Sequence, residues 1–293
     1  MNKECAVLIC VRDRPTEIAM LLCSLYTQTY KDFDIYILND QSGTPLTTYH
    51  FFNCIINLLK MKDFKVYLIN TEFPHGVSKA RQRIVDEALK KDYKYLARVD
   101  DDVYLEQDFL ERLIKVIESG YDLASGVTPP MHVPSFVRNP KYVGQVINRV
   151  VLDNEGNCIL NNDDCGMCYT DIVILPAHHF RSSALYKSEI HKKVNYLPTK
   201  LSKHGFREEQ IFSYKCLLEG YKIGVDTGAI AWHQMTPSGG ERWPEHNQLV
   251  LFNEQILKDF TKEHKEDLIK IFGQPDVTKQ QMMKETNLRP LGN

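Results

Sequence analysis

Three consecutive aspartates, Asp100-Asp101-Asp102, follow directly on the apolar run YKYLARV at 93–99. At the extended-chain rise their charges lie within ~10 Å of one another. Like charges that close raise each other's pKa unless a cation compensates. A hard divalent ion with oxygen ligands, Mg²⁺ or Mn²⁺, is the natural compensation, its coordination completed by substrate phosphates. A solvated acidic turn, or the start of a helix at Glu106, is the plainer alternative. Three other groups could carry chemistry. Glu208-Glu209 open an expected helix, where the dipole favours carboxylates in any case. His233 ends the apolar run Ile230-Ala231-Trp232, with Trp232 expected in the core. Cys165-Gly166-Met167-Cys168 with His178-His179 offers soft zinc ligands. No second pair at finger spacing follows, so histidines that are packed or that line a cleft with Arg181 are the expectation.

The elements that must position these residues alternate. Apolar runs predict strands at 5–11, 33–39, 64–70, 93–99 and 122–127. Between them, amphipathic stretches predict helices at 16–26 after Pro15, up to Lys60, at 77–90 and at 106–119. Such alternation makes a mostly parallel sheet covered on both faces. Ligands bind beyond the carboxyl ends of such strands, which singles out Asp40, Asn70 and Asp100 to Asp102. The middle, 129–176, is irregular, with a candidate hairpin at 143–160. A helix at 207–220 and short strands at 221–226 and 229–232 follow. Residues 247–272 form a charged helical tail, and the last ~15 residues read as poorly structured. One domain is expected, with a first half at 1–128, a second half at 129–245 and a C-terminal helical extension at 246–293.

With 43% hydrophobic and 25% charged residues the chain can bury a sizeable core. A formal net charge of −2 argues against a generally basic nucleic-acid binder. The eight cysteines sit mostly inside apolar runs, as reduced cysteines do. No secretory leader opens the chain, and no apolar stretch approaches the ~20 residues needed to span a bilayer. A cytoplasmic protein without an integral membrane segment is expected.

Asp100-Asp101-Asp102 resembles the D-x-D motif of GT-A glycosyltransferases, and other segments follow in the same order. Val7 to Val11 with Arg12-Asp13-Arg14-Pro15 resembles the opening strand and loop of the large inverting family, glycosyltransferase family 2. Ser24-Leu25, Gln28-Thr29-Tyr30 and Asp32-Phe33 resemble its SLxxQTYxxFE stretch, Asn39-Asp40-Gln41-Ser42 its DDxS, and Gly76 with Ala80-Arg81 its GxxxARN. Asn39 and Gln82 depart from the first aspartate of DDxS and the last asparagine of GxxxARN. Arg12-Asp13 stands where threonine or tyrosine with asparagine is usual.

The resemblance implies a GT-A fold with a smaller mixed acceptor-side part, residues 1–128 forming the nucleotide-sugar-binding half and 129–245 the acceptor and catalytic half of the same domain. It also implies inverting transfer from a nucleotide-sugar, most simply a UDP-sugar, assisted by Mn²⁺ or Mg²⁺. The donor-binding set would be Val11, Arg12, Asp40, Arg81, Asp100, Asp101 and Arg242. Asp40 would read the base, and Arg242-Trp243 would end a loop over the diphosphate. Asp102 and His233, with Asp100, would hold the metal. Gly205 to Gln210 resembles the family's ED motif, placing Glu209 as the base that deprotonates the acceptor, with Glu208 in reserve. The acceptor could be a glycan, a lipid-linked sugar, a protein or a modified nucleobase, and the oligomeric state is open.

A sugar-phosphate nucleotidyltransferase would carry a glycine-rich signature after its first strand, which Val11 to Pro15 lacks. Neither G-x-G-x-x-G nor a P-loop is present. A non-catalytic nucleotide-sugar or glycan binder would be expected to have lost carboxylates that this chain keeps.

Overall fold

The computed structural model describes residues 3–131, 152, 172–180, 182–197, 200–236, 239–240 and 246–272. Strand β1 (Cys5–Val11) is followed by α1 (Pro15–Thr27), β2 (Phe33–Asn39), α2 (His50–Met61), β3 (Val66–Asn70), α3 (Val77–Ala88) and β4 (Tyr95–Asp100). Then come β5 (Val103–Leu105), α4 (Phe109–Glu118), β6 (Leu123–Val127), β7 (Ile174–Ala177) and β8 (Ala184–Lys187). The order closes with α5 (Glu208–Leu218), β9 (Ile223–His233), α6 (His246–Glu263) and α7 (Lys265–Phe272).

The strands form one mixed sheet in the order β3-β2-β1-β4-β8-β6-β9-β5, with β7 also pairing with β9. The first four run parallel, and their carboxyl ends therefore lie on one edge. Near-continuous apolar strands are what burial on both faces demands. On one face Val7, Ile9, Ile35 and Val99 pack with Ile18, Leu22, Phe52 and Leu113 of α1, α2 and α4. On the other, Leu8, Tyr36, Leu38 and Leu96 pack with Ala80 and Ile84 of α3 and Phe212 of α5. A third cluster joins Ile211 and Tyr214 of α5 to Leu257 of α6 and Leu268 and Phe272 of α7.

The sheet and its helices match the α/β expectation, with local corrections. The helix expected from Glu106 begins at Phe109, because Val103–Leu105 pairs antiparallel with β9. The two short strands expected near the end are one, β9. Its Asp226-Thr227-Gly228 reads as a turn, yet Thr227 is buried and its hydroxyl accepts a bond from the Val173 amide. Strands β7 and β8 were not anticipated. β8 runs antiparallel to both β4 and β6 and joins the two halves of the chain in one sheet. Apart from Leu152, the candidate hairpin at 143–160 lies outside the described residues, as do Cys165, Cys168, Arg181, Arg242-Trp243 and the tail at 273–293. The five described cysteines are unpaired. Among the described residues no helix is long and apolar enough to cross a membrane.

The β6–β9 pairing changes register between Ser125 and Val127. At Gly126 a Cβ would lie 2.0 Å from the Ala229 carbonyl oxygen. Gly126→Ala is expected to lower stability by roughly 1–3 kcal/mol, as overpacking does. Urea denaturation measures this, and an unchanged midpoint would contradict the described register.

Candidate active site

The ends of β1, β2 and β4 meet the start of α5 and the end of β9 around a cleft of about 500 Å³. Its lining brings together Val11, Arg12, Asp40, Arg81, Asp100, Asp101, Asp102, Glu208, Glu209 and His233. These are the described residues expected of the site. Register explains the least obvious of them. Val103 of β5 pairs with His233 of β9, and the Gln234 amide donates to the Asp102 carbonyl. A histidine more than a hundred residues downstream therefore sits with Nε2 3.3 Å from Asp102 Oδ1.

Asp100, Asp101, Asp102, Glu208 and Glu209 each face a guanidinium group. Arg14 Nη1 lies 2.8 Å from Asp101 Oδ1 and 3.0 Å from Asp102 Oδ2. Arg81 Nη2 donates to Asp100 Oδ1 at 2.5 Å, and its Nε lies 2.7 Å from Glu208 Oε1. Arg98, buried in the middle of β4, places Nη2 2.8 Å from Glu208 Oε1 and 3.1 Å from Glu209 Oε1. The Glu208 contacts are ionic only: neither of its oxygens accepts a well-aligned hydrogen bond, although the side chain is 3% exposed. Glu209 is the open member of the pair, at 30%.

Asp40 lines the cleft, but its carboxylate is largely engaged. It accepts from the backbone amides of His75 and Gly76 and from the Thr71 hydroxyl. It thereby holds the loop leading into α3. Gly76 has φ +81°, and a Cβ there would lie 2.7 Å from Lys203 Cα. Only glycine allows this approach of the loop before α3 to the loop before α5.

The structure does not gather Asp100 with Asp102 and His233. Among the described residues no three His, Cys, Asp or Glu side chains converge on a common point. Asp100 is turned towards Arg81 instead. Asp102 and His233 form an oxygen–nitrogen pair at the cleft. Two such groups suit an ion that takes its remaining ligands from phosphate and water, so the residues present fit a loosely held divalent metal. The paired histidines are packed: His178 lies against Phe272, and the buried His179 places Nδ1 2.9 Å from the Phe180 carbonyl oxygen. Neither lines the cleft.

Sequence reasoning missed Arg14 and Arg98, and His204, Phe206 and Met235 on the cleft wall. Arg98 had a readable signal. An arginine in the middle of a fully buried strand must be matched by carboxylates.

Burial pushes Asp101 up to about 7 against the pull of Arg14, with Asp102 adding to the rise. Burial likewise raises Glu208 to about 7, opposed by Arg98 and Arg81. Asp100 is also buried, yet Arg81 and Arg98 hold it down at about 2. For His233, burial is outweighed by Asp102, and its pKa is raised. A carboxyl raised on folding binds a proton that the unfolded chain has already released. Its contribution to stability therefore falls as pH rises from the ordinary 4.5 to about 7. His191, lowered to about 4 by burial, drifts the other way. Since that drift is common to wild type and variant, the stability of Glu208→Gln relative to wild type should rise between pH 5 and 7. Urea denaturation with a chelator present measures it, and a constant or falling difference would contradict the assignment.

Comparison with known proteins places this geometry. The family model described as glycosyl transferase family 2 matches residues 6–164, more than half of the chain. No curated protein sequence matches significantly. Among solved structures, S. aureus TarS 1–349 in complex with UDP-GlcNAc is similar, with TM-score 0.60 and 15% identity over 92% of this chain and 71% of that one. A longer S. aureus TarS structure gives 0.56 at 14% identity, over 94% of this chain but 44% of that one. The complex of TarS 1–349 with UDP gives 0.52 at 14% identity, over 92% and 70%. At such identities the likeness is one of fold. The carboxylates at the strand ends thus stand in a GT-A framework, and the chain belongs to glycosyl transferase family 2.

Proposed function

We propose that this chain is an inverting, metal-assisted glycosyltransferase that moves a sugar from a UDP-sugar to an acceptor hydroxyl. The observation that carries the reading is the joint placement of Asp102 with His233 and of Glu209, held from behind by Arg98, on one cleft at the carboxyl edge of the sheet. Complexes of the similar TarS fold with UDP-GlcNAc and with UDP support a uridine diphosphate donor.

In this reading the nucleobase lies at the Asp40 end, where that carboxylate holds the loop at 71–76. Asp100, kept ionised by Arg81 and Arg98, accepts hydrogen bonds from donor hydroxyls at the middle of the cleft. Asp102 and His233 would hold Mn²⁺ or Mg²⁺, which acts as a Lewis acid towards the departing diphosphate. Arg14, already bridging Asp101 and Asp102, adds positive charge where the leaving group develops negative charge. Glu209 removes the acceptor proton as its oxygen attacks the anomeric carbon from the opposite side. Glu208, held between two arginines and closed to solvent, cannot reach an acceptor and serves instead to fix Arg81 and Arg98.

Melting curves with UDP should shift upward only when Mn²⁺ is present, and Asp102→Asn should remove the shift. Glu209→Gln should retain it while lowering transfer by about 10²–10⁴-fold, the usual share of a general base. Full activity in Glu209→Gln would refute the base assignment. Metal-dependent UDP binding with no turnover by the wild type would identify a non-catalytic binder instead.

A further inference from the structure

The loop at 202–207 carries Glu208 and Glu209 into the cleft, and its backbone is unusual where they begin. Arg207, the residue before α5, has φ +75° and ψ +5°. That left-handed conformation is disfavoured for any residue with a Cβ, and it persists only where surroundings impose it. Here the surroundings are visible. The Arg207 guanidinium is buried and donates from Nε at 2.9 Å and from Nη2 at 2.5 Å to Oε1 of Glu254 on α6. Its Nη1 donates to Gln210 Oε1 at 2.8 Å. The preceding residue of α6, Asn253, is fully buried and grips the other end of the loop. Its Oδ1 accepts from the Ser202 amide at 2.8 Å, and its Nδ2 donates to the Ser202 hydroxyl at 3.0 Å.

Between these two anchors the loop also meets the donor side of the cleft. The Lys203 carbonyl accepts from the Val77 amide at 3.0 Å, and a Cβ on Gly205 would lie 2.4 Å from Val77 Cβ. Adjacent residues of α6 therefore hold both ends of the segment that presents Glu209, while the middle is seated on the start of α3. Helix α6 lies beyond the 6–164 segment matched by the family model.

We propose that Glu254, acting through Arg207, is a positioning residue for the catalytic carboxylate, with Asn253 as its companion. The salt bridge holds Arg207 left-handed, and that turn directs Glu208 inward to Arg81 and Arg98 and leaves Glu209 open to the acceptor. This inference rests on Glu209 being the base. The C-terminal helices are on this account part of the active site's construction.

The test compares Glu254→Gln, Arg207→Ala and Arg207→Gly with wild type in the full chain. Two readouts are taken: hydrogen exchange of the amides at 205–211, and UDP release from UDP-GlcNAc with Mn²⁺. Glu254→Gln is expected to speed exchange in that segment at least tenfold without altering β1 to β4. It should also lower kcat tenfold or more, with KM for UDP-GlcNAc within twofold. Arg207→Gly, free to adopt the left-handed turn, should keep more of kcat than Arg207→Ala. Unchanged exchange in Glu254→Gln would overturn the clamp, whatever the activity. Faster exchange with unchanged kcat would overturn the positioning role. A wild type that releases no UDP, while Glu254→Gln still loosens the segment, counts against the donor reading and leaves the clamp standing.

Discussion

Five carboxylates, Asp100, Asp101, Asp102, Glu208 and Glu209, are set against three guanidinium groups, Arg14, Arg81 and Arg98, at one edge of the sheet. Charges of one sign this close and this buried would not remain ionised without partners. The arrangement is therefore a single electrostatic unit. Arg81 and Arg98 bind Asp100 to Glu208, which ties the strand-end aspartates to the helix that carries Glu209. In formal charges the unit stays two negative charges in excess. A divalent cation would offset that excess beside Asp102 and His233, and the proposed chemistry depends on it.

The topology makes this unit unavoidable. Parallel strands send the ends of β1, β2 and β4 to the same edge, so residues far apart in sequence share one cleft. β9 runs parallel to β6 along most of its length and then, through β5, returns alongside Asp102. The loops before α3 and α5 interlock through Gly76 and Gly205, which puts the Asp40 end of the cleft and the Glu209 end in direct contact. α6 then braces the second loop from outside. The Asp40 side of the cleft, Glu209 and the C-terminal helices are thus joined over a short path.

The parallel half of the sheet was legible because β1, β2 and β4 are buried on both faces and read as near-continuous apolar runs bounded by turns. The aspartates were legible for the same reason, since they interrupt such a run abruptly. What the sequence hid is long-range. β7 and β8 are only four residues each, too short for a periodic pattern, and they exist by pairing with β9, β4 and β6. Asp226-Thr227-Gly228 looks like a turn because those residue types favour one, and tertiary hydrogen bonding keeps them extended. The resemblance put Asp100 beside the metal. β4 ends at Asp100 and the chain turns at Asp101-Asp102, so Asp100 is claimed by Arg81 while Asp102 turns to His233. Arg14 and Arg98 were in plain view, but their partners lie across the fold.

The central claim is that the Asp102–His233 pair completes its charge balance with a divalent cation shared with the donor. A crystal of the full chain grown with UDP and Mn²⁺, measured at the manganese absorption edge, tests it directly. The account predicts one anomalous peak bonded to both Asp102 and His233 and to diphosphate oxygens, with Asp100 still paired to Arg81. UDP bound in the cleft without manganese at that pair, or manganese held elsewhere, would contradict it.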